Sequence, residues 1–176
     1  MNLGQADCAG LGRYTMHSNV FNPLIGTVFE QWVSDCTGIP MSADPIGGPD
    51  LINERCFVEV KFRQIPYSWA MLGKALQYHI RYPHLQGLVV LGKYSFSKSV
   101  KDTRTKSLKR LEGMVTRREA YIHPWSDVIS AEQTEGVHDT YIRLRLAATY
   151  SKVSIDDGKG ILYLHPDVDT SLLPLL

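Results

Sequence analysis

Residues 56–62 read CFVEVKF, and the alternation within this stretch decides how the rest of the chain is organised. Period two places Cys56, Val58, Val60 and Phe62 on one face of a strand and Phe57, Glu59 and Lys61 on the other. Both faces carry large apolar side chains, so the strand belongs in an interior. A glutamate and a lysine on one interior face are a physical anomaly, because a buried charge is costly unless it is paired or bound to a metal.

Working upstream, Asn53-Glu54-Arg55 turns the chain and Asp50-Leu51-Ile52 forms a short strand, so 50–62 reads as a hairpin. The preceding SADPIGGPD (42–50) is dense in Pro, Gly and Asp, which is loop chemistry. The hairpin returns Asp50 towards Glu59. Two neighbouring carboxylates repel, and a divalent cation relieves the repulsion. A few hard oxygen ligands with room for water and phosphate suit Mg²⁺, with Mn²⁺ as a substitute. The expected metal ligands are the carboxylates of Asp50 and Glu59. Lys61 adds a positive charge that holds a phosphate or helps ionise an attacking water.

Further out, residues 22–38 read as a helix with Asn22 as cap, Pro23 in the first position and Gly38 as the stop. Leu24, Val28, Gln31, Trp32 and Asp35 follow 3–4 spacing, with the apolar members inward. Glu30 and Trp32 lie ~200° apart on that helix. With Trp32 against the sheet, Glu30 cannot face the same neighbour, and Phe57 is expected beneath the same helix. The twenty residues before it form a loose arm or a short helix. A second helix spans 67–82, ended by Pro83, and LQGLVVL (85–91) is a strand covered on both faces. A helix near 105–119, a short element at 121–125, a strand over 140–149 and a last strand over 160–165 complete the chain. Asp156-Asp157-Gly158 turns into the last strand. The order predicts one α/β domain over 1–176, a central mixed β-sheet flanked by helices. Its motif core is 22–92, its basic segment 93–118 and its C-terminal strands 119–176.

Pro49-Asp50 followed by Glu59-Val60-Lys61 on a hydrophobic strand resembles the PD-(D/E)xK nuclease superfamily. The resemblance covers roughly residues 22–92, in motif order and element order. It implies a restriction-endonuclease-like core and hydrolysis of DNA phosphodiesters by metal-activated water, with Asp50, Glu59 and Lys61 as catalytic residues and the Val60 carbonyl as a third metal ligand. Glu30 stands where the family often has an additional acidic residue, which implies that it faces the metal cleft. Gln77 stands in the helix where several branches have a functional Gln. An endonuclease that cuts both strands of a duplex commonly needs two active sites, which makes a homodimer the expected assembly. A second Pro-Asp, at 166–167, has no Glu-x-Lys partner.

The net charge of +1 hides an asymmetry. Residues 93–118 carry nine basic side chains (Lys93, Lys98, Lys101, Arg104, Lys106, Lys109, Arg110, Arg117 and Arg118) against two acids, Asp102 and Glu112, for a net +7. Residues 1–92 carry −1 and residues 119–176 carry −5. Such a block in a neutral chain is aimed at a polyanion, here the DNA backbone. Three cysteines without a CxxC pattern argue against a disulfide framework or a thiolate zinc site, and for a reducing, cytoplasmic setting. No run reaches the ~18 apolar residues of a membrane span, and the first residues lack a signal-peptide pattern. The six histidines form no HExxH and read as surface or packing residues. Neither a phosphate-binding GxxxxGK[ST] loop nor a GxSxG nucleophile turn occurs. Two other readings compete: a catalytically inactive nucleic-acid-binding domain of the same fold, and a structural or regulatory protein in which Glu59 and Lys61 form a salt bridge.

Overall fold

The computed structural model of the chain describes residues 11–44, 47–63, 72–97, 107–127, 129–130 and 154–176. Strand β1 (Leu51–Ile52) pairs antiparallel with β2 (Cys56–Arg63), joining Leu51 to Val58 and Ile52 to Phe57. The chain then crosses through helix α2 (Leu72–Arg81) and returns as β3 (Gln86–Phe96), parallel to β2 with Glu59 beside Val89 and Lys61 beside Leu91. Strand β4 (Val115–Pro124) runs antiparallel to β3, and β6 (Ile161–Leu164) runs parallel to β4. The short β5 (Ser154–Asp156) closes the far edge as a hairpin with β6. The result is an α/β architecture on a mixed six-stranded sheet of order β1-β2-β3-β4-β6-β5.

Helix α1 (Leu11–Thr37) covers one face of the sheet. Its buried residues Ile25, Val28, Phe29, Trp32, Val33 and Cys36 recur at 3–4 spacing and meet Val58, Val60, Leu88, Val90, Ile122 and Leu162. Gln31 and Asp35, the polar members of the 3–4 series, are exposed and hydrogen-bond each other at 2.9 Å. The helix begins well before the expected Asn22 cap. Pro23 withholds one N–H from the ladder, but the buried stripe that follows holds the helix together. Gly38 does end it, at φ +78° with its N–H on Ser34 O at 2.8 Å. Trp32 is buried against the sheet, and its indole N–H donates to Asp157 Oδ2 at 2.9 Å, anchoring the β5–β6 turn under the helix.

Phe57 does not lie under α1. Its strand parity sends it to the opposite face, where it packs edge-on against Tyr78 and His79 of α2, in one cluster with Trp125. The basic segment also differs from the expected helix over 105–119. Helix α3 (Leu108–Met114), capped by Ser107, is only seven residues long, and Val115 already pairs with Phe96. β-Branched Val115 and Thr116 suit the strand, so 121–125, expected as a separate element, continues β4 as far as Pro124. The expected strand over 140–149 lies outside the described residues. Among the described residues no helix is long and apolar enough to cross a membrane.

Arg118 occupies the α1 side of β4, 3% exposed, with its guanidinium over the rings of Phe29 and Trp32 and on Glu112 Oε1 at 2.8 Å. Its side chain lies flat across Gly160. A Cβ at Gly160 would meet Arg118 Cγ at 1.9 Å and the Arg118 carbonyl at 2.7 Å. Gly160→Ala is therefore expected to cost about 2 kcal/mol through overpacking, read as a shift in the urea midpoint at unchanged slope. A midpoint within experimental error of the parent protein would contradict this packing.

Candidate active site

Strand β1 stops after two residues, while β2 runs on through Glu59, Val60 and Lys61. The Asp50 side chain takes over where β1 lacks backbone: its Oδ2 accepts the Val60 N–H at 2.7 Å. Glu59 is fully buried, 0% exposed. A carboxylate so placed needs counter-charges, and it has two. Lys61 Nζ and Lys74 Nζ both contact Glu59 Oε1. The other oxygen, Oε2, lies 3.0 Å from the Tyr78 hydroxyl, which also lies 2.9 Å from the Gly48 carbonyl. Tyr78 thereby ties α2, the 42–50 loop and Glu59 together, and Arg81 on Asp44 at 2.8 Å adds a second tie to that loop.

One nitrogen marks the centre of the site. Lys61 Nζ contacts Glu59 Oε1, lies 3.8 Å from Asp50 Oδ2 and lies 3.4 Å from the Val60 carbonyl oxygen. The three groups expected from sequence to ligate a cation thus surround a single ammonium. Glu30 is half-buried on α1 and shares the electrostatic field of Asp50, Lys61, Glu59 and Lys74. Burial, and then the negative charge of Asp50, push its carboxyl up to about 7. Burial also raises Asp50, against the opposing pull of Lys61. Burial alone would lower Lys61, but Glu59 and Asp50 outweigh it and hold the ammonium above its ordinary value.

Gln77 is exposed and is not the α2 residue at the carboxylates. Lys74 and Tyr78, one helical turn apart, take that position. A signal for them did exist: Tyr78 lies four residues after Lys74, so a helix presents both to one neighbour. Which of several helix faces meets Glu59, however, is set by how α2 packs on Phe57 and Trp125.

The basic segment is divided by the fold. Lys93 and Arg117 stand on the Glu59 face by strand register, both close to Glu119, at 3.8 and 3.3 Å. Lys109 and Arg110 are exposed on α3, which packs with α1 on the other side of the sheet. Arg118, expected to touch nucleic acid, is instead the buried partner of Glu112, because strand alternation turns it away from its neighbour Arg117. Lys98, Lys101, Arg104 and Lys106 lie outside the described residues.

A second titratable group had no signal in the sequence beyond the unpaired Pro166-Asp167. His165 Nδ1 lies 3.4 Å from Asp127 Oδ2 and 3.7 Å from Asp167 Oδ2, and it accepts the Asp167 backbone N–H at 3.2 Å. One nitrogen and two carboxylates are a possible cation donor set. The same contacts tie the segment after β4 to the turn after β6. Its neighbour His123 is buried and, through that burial and then His165, is driven down to about 3, so its ring is neutral.

Comparison of the chain with protein-family models, with curated proteins and with solved structures returns no match. The site therefore stands on its own geometry.

Glu30 holds a proton more tightly in the folded protein than in the unfolded chain. The stability it contributes is fully present below its ordinary value of 4.5 and is lost as pH rises through about 7. Thermal unfolding of the parent protein should consequently lose ground to Glu30→Gln between about pH 5 and about pH 8. Parallel melting profiles for the two proteins would show that Glu30 is not held in this cleft.

Proposed function

We propose that this protein is a Mg²⁺-dependent DNA endonuclease with a restriction-endonuclease-like core, hydrolysing phosphodiester bonds. The observation that carries the reading is the single ammonium, Lys61 Nζ, enclosed by Asp50 Oδ2, Glu59 Oε1 and the Val60 carbonyl. The donor set fits a hard divalent cation: every candidate ligand is an oxygen and two are carboxylates. Asp50, Glu59 and the Val60 carbonyl would hold Mg²⁺, or Mn²⁺ in its place. Such an ion supplies charge for the phosphate and a lower pKa for the attacking water.

The chain's own residues do the rest. Tyr78 and the backbone around Gly48 hold Glu59 in one orientation. Asp50 is fixed by the Val60 N–H, so the two carboxylates keep their separation. Lys61 presents its ammonium to the charge that develops on phosphorus. Lys93 and Arg117, on the same face as Glu59, contact the substrate backbone. Duplex cutting would bring two such sites together in a homodimer.

The specific observation on the side of the catalytically inactive, nucleic-acid-binding alternative is Lys74, which adds a second positive charge to Glu59. Cleavage of linear duplex, supercoiled plasmid, single strand and four-way junction, with Mg²⁺, Mn²⁺ or EDTA, separates the two readings. Lys61→Ala should lose at least ~10²-fold in single-turnover cleavage at saturation, with binding in Ca²⁺ largely kept. Cleavage at the parental rate by that variant would rule out the mechanism. Removing the charges of Lys93 and Arg117 together should lower the salt slope of DNA binding by about 2. The same change at Lys109 and Arg110 should leave the slope in place, and a reversed pattern would put the DNA track on the α1 side.

A further inference from the structure

Glu59 carries more positive charge than the strand on which it lies supplies. Lys61 provides one ammonium. The second comes from α2, where Lys74 reaches the same carboxylate oxygen. The two lysines are held differently. Lys61 is 27% exposed and has the carboxylates of Glu59 and Asp50 and the Val60 carbonyl around its nitrogen. Lys74 is 45% exposed, and Glu59 Oε1 is its one acceptor among the described residues. Two ammonium groups balance Asp50 and Glu59. A divalent cation bound to those carboxylates would leave a surplus of positive charge in a cleft only partly open to solvent. The surplus is relieved most easily by the charge with the fewest partners and the shortest way to water.

We propose that Lys74 is an exchangeable counter-ion: it neutralises Glu59 in the metal-free protein, lets go when a divalent cation binds, and then takes a non-bridging oxygen of the substrate phosphate. The proposal rests on the nuclease reading above and adds a second lysine, beside Lys61, at the phosphate. Its position suits the exchange. The long stem of Lys74 starts on α2 outside the sheet, so the ammonium can leave Glu59 without moving the strand. Tyr78, one turn further on and buried, stays on Oε2 and keeps the carboxylate in place.

The first test follows Mn²⁺ binding by the loss of its free EPR signal, without nucleic acid, for the parent protein, Lys74→Met and Lys74→Arg. Methionine keeps the stem and removes the competing charge, so Lys74→Met should bind Mn²⁺ about tenfold more tightly and melt at a lower temperature in EDTA. Lys74→Arg should stay close to the parent in both. Equal or weaker Mn²⁺ binding by Lys74→Met overturns the exchange, and no Mn²⁺ binding by the parent overturns the reading on which it rests. The second test needs no variant: acetylation of Lys74 in the parent protein, followed by mass spectrometry, should become severalfold faster when Mg²⁺ is added. An unchanged rate overturns the exchange. The third test is affinity for DNA in saturating Ca²⁺, which Lys74→Met should lower severalfold. Unchanged affinity removes the phosphate contact. Exchange without any DNA binding by the parent protein would reject the nuclease reading and leave Lys74 as a counter-ion alone.

Discussion

A carboxylate with no exposed surface must have its counter-charges built in, and Glu59 is that carboxylate here. Meeting this demand organises one whole side of the molecule. Lys61 comes from the same strand, Lys74 and Tyr78 come from α2, and the Gly48 carbonyl comes from the loop before β1. Leaving Glu59 unpaired would cost several kcal/mol, so α2 and the 42–50 loop are held at the sheet edge by electrostatics as well as by apolar packing. The ring cluster of Phe57, Tyr78 and Trp125 supplies that packing and fixes the rotation of α2.

The opposite face solves a similar problem with the opposite sign. Arg118 is buried against Phe29 and Trp32, and Glu112 from α3 neutralises it. Gly160 is needed because the guanidinium stem lies where a Cβ would be. One sheet therefore carries a buried anion under α2 and a buried cation under α1. The anion sits within a group of ionisable side chains at an edge where backbone pairing stops. The cation lies over two aromatic rings and against one carboxylate. The first arrangement leaves charge that the proposed cation and phosphate would address, and the second holds α1 and α3 on the sheet.

Much of the central architecture was legible because it depends on neighbours in sequence. The alternation of CFVEVKF put Glu59 and Lys61 on one face, and the turn at 53–55 brought Asp50 back to them. The apolar run at 85–91 marked a strand covered on both sides, and Asp156-Asp157-Gly158 marked the turn into the last strand, though not β5 before it. Trp32 and Glu30 diverge around α1 as helical geometry requires. These features follow from period two, period 3.6 and turn chemistry, which act within a few residues.

What the sequence by itself determined was thus the pairing of β1 with β2, the βαβ unit and the side-by-side placement of Asp50, Glu59 and Lys61. Only the tertiary structure decided which residue of α2 meets Glu59. Lys74, Gln77 and Tyr78 are all acceptable helix residues, and the choice among them rests on packing against Phe57 and Trp125, which are distant in sequence. Only the tertiary structure, likewise, divided the basic segment, since a run of charge reads as one surface until a strand sends Arg117 and Arg118 to opposite faces. The limit is physical: local periodicity specifies which side chains share a face, whereas the partner that face meets is specified by contacts that form when the chain closes on itself.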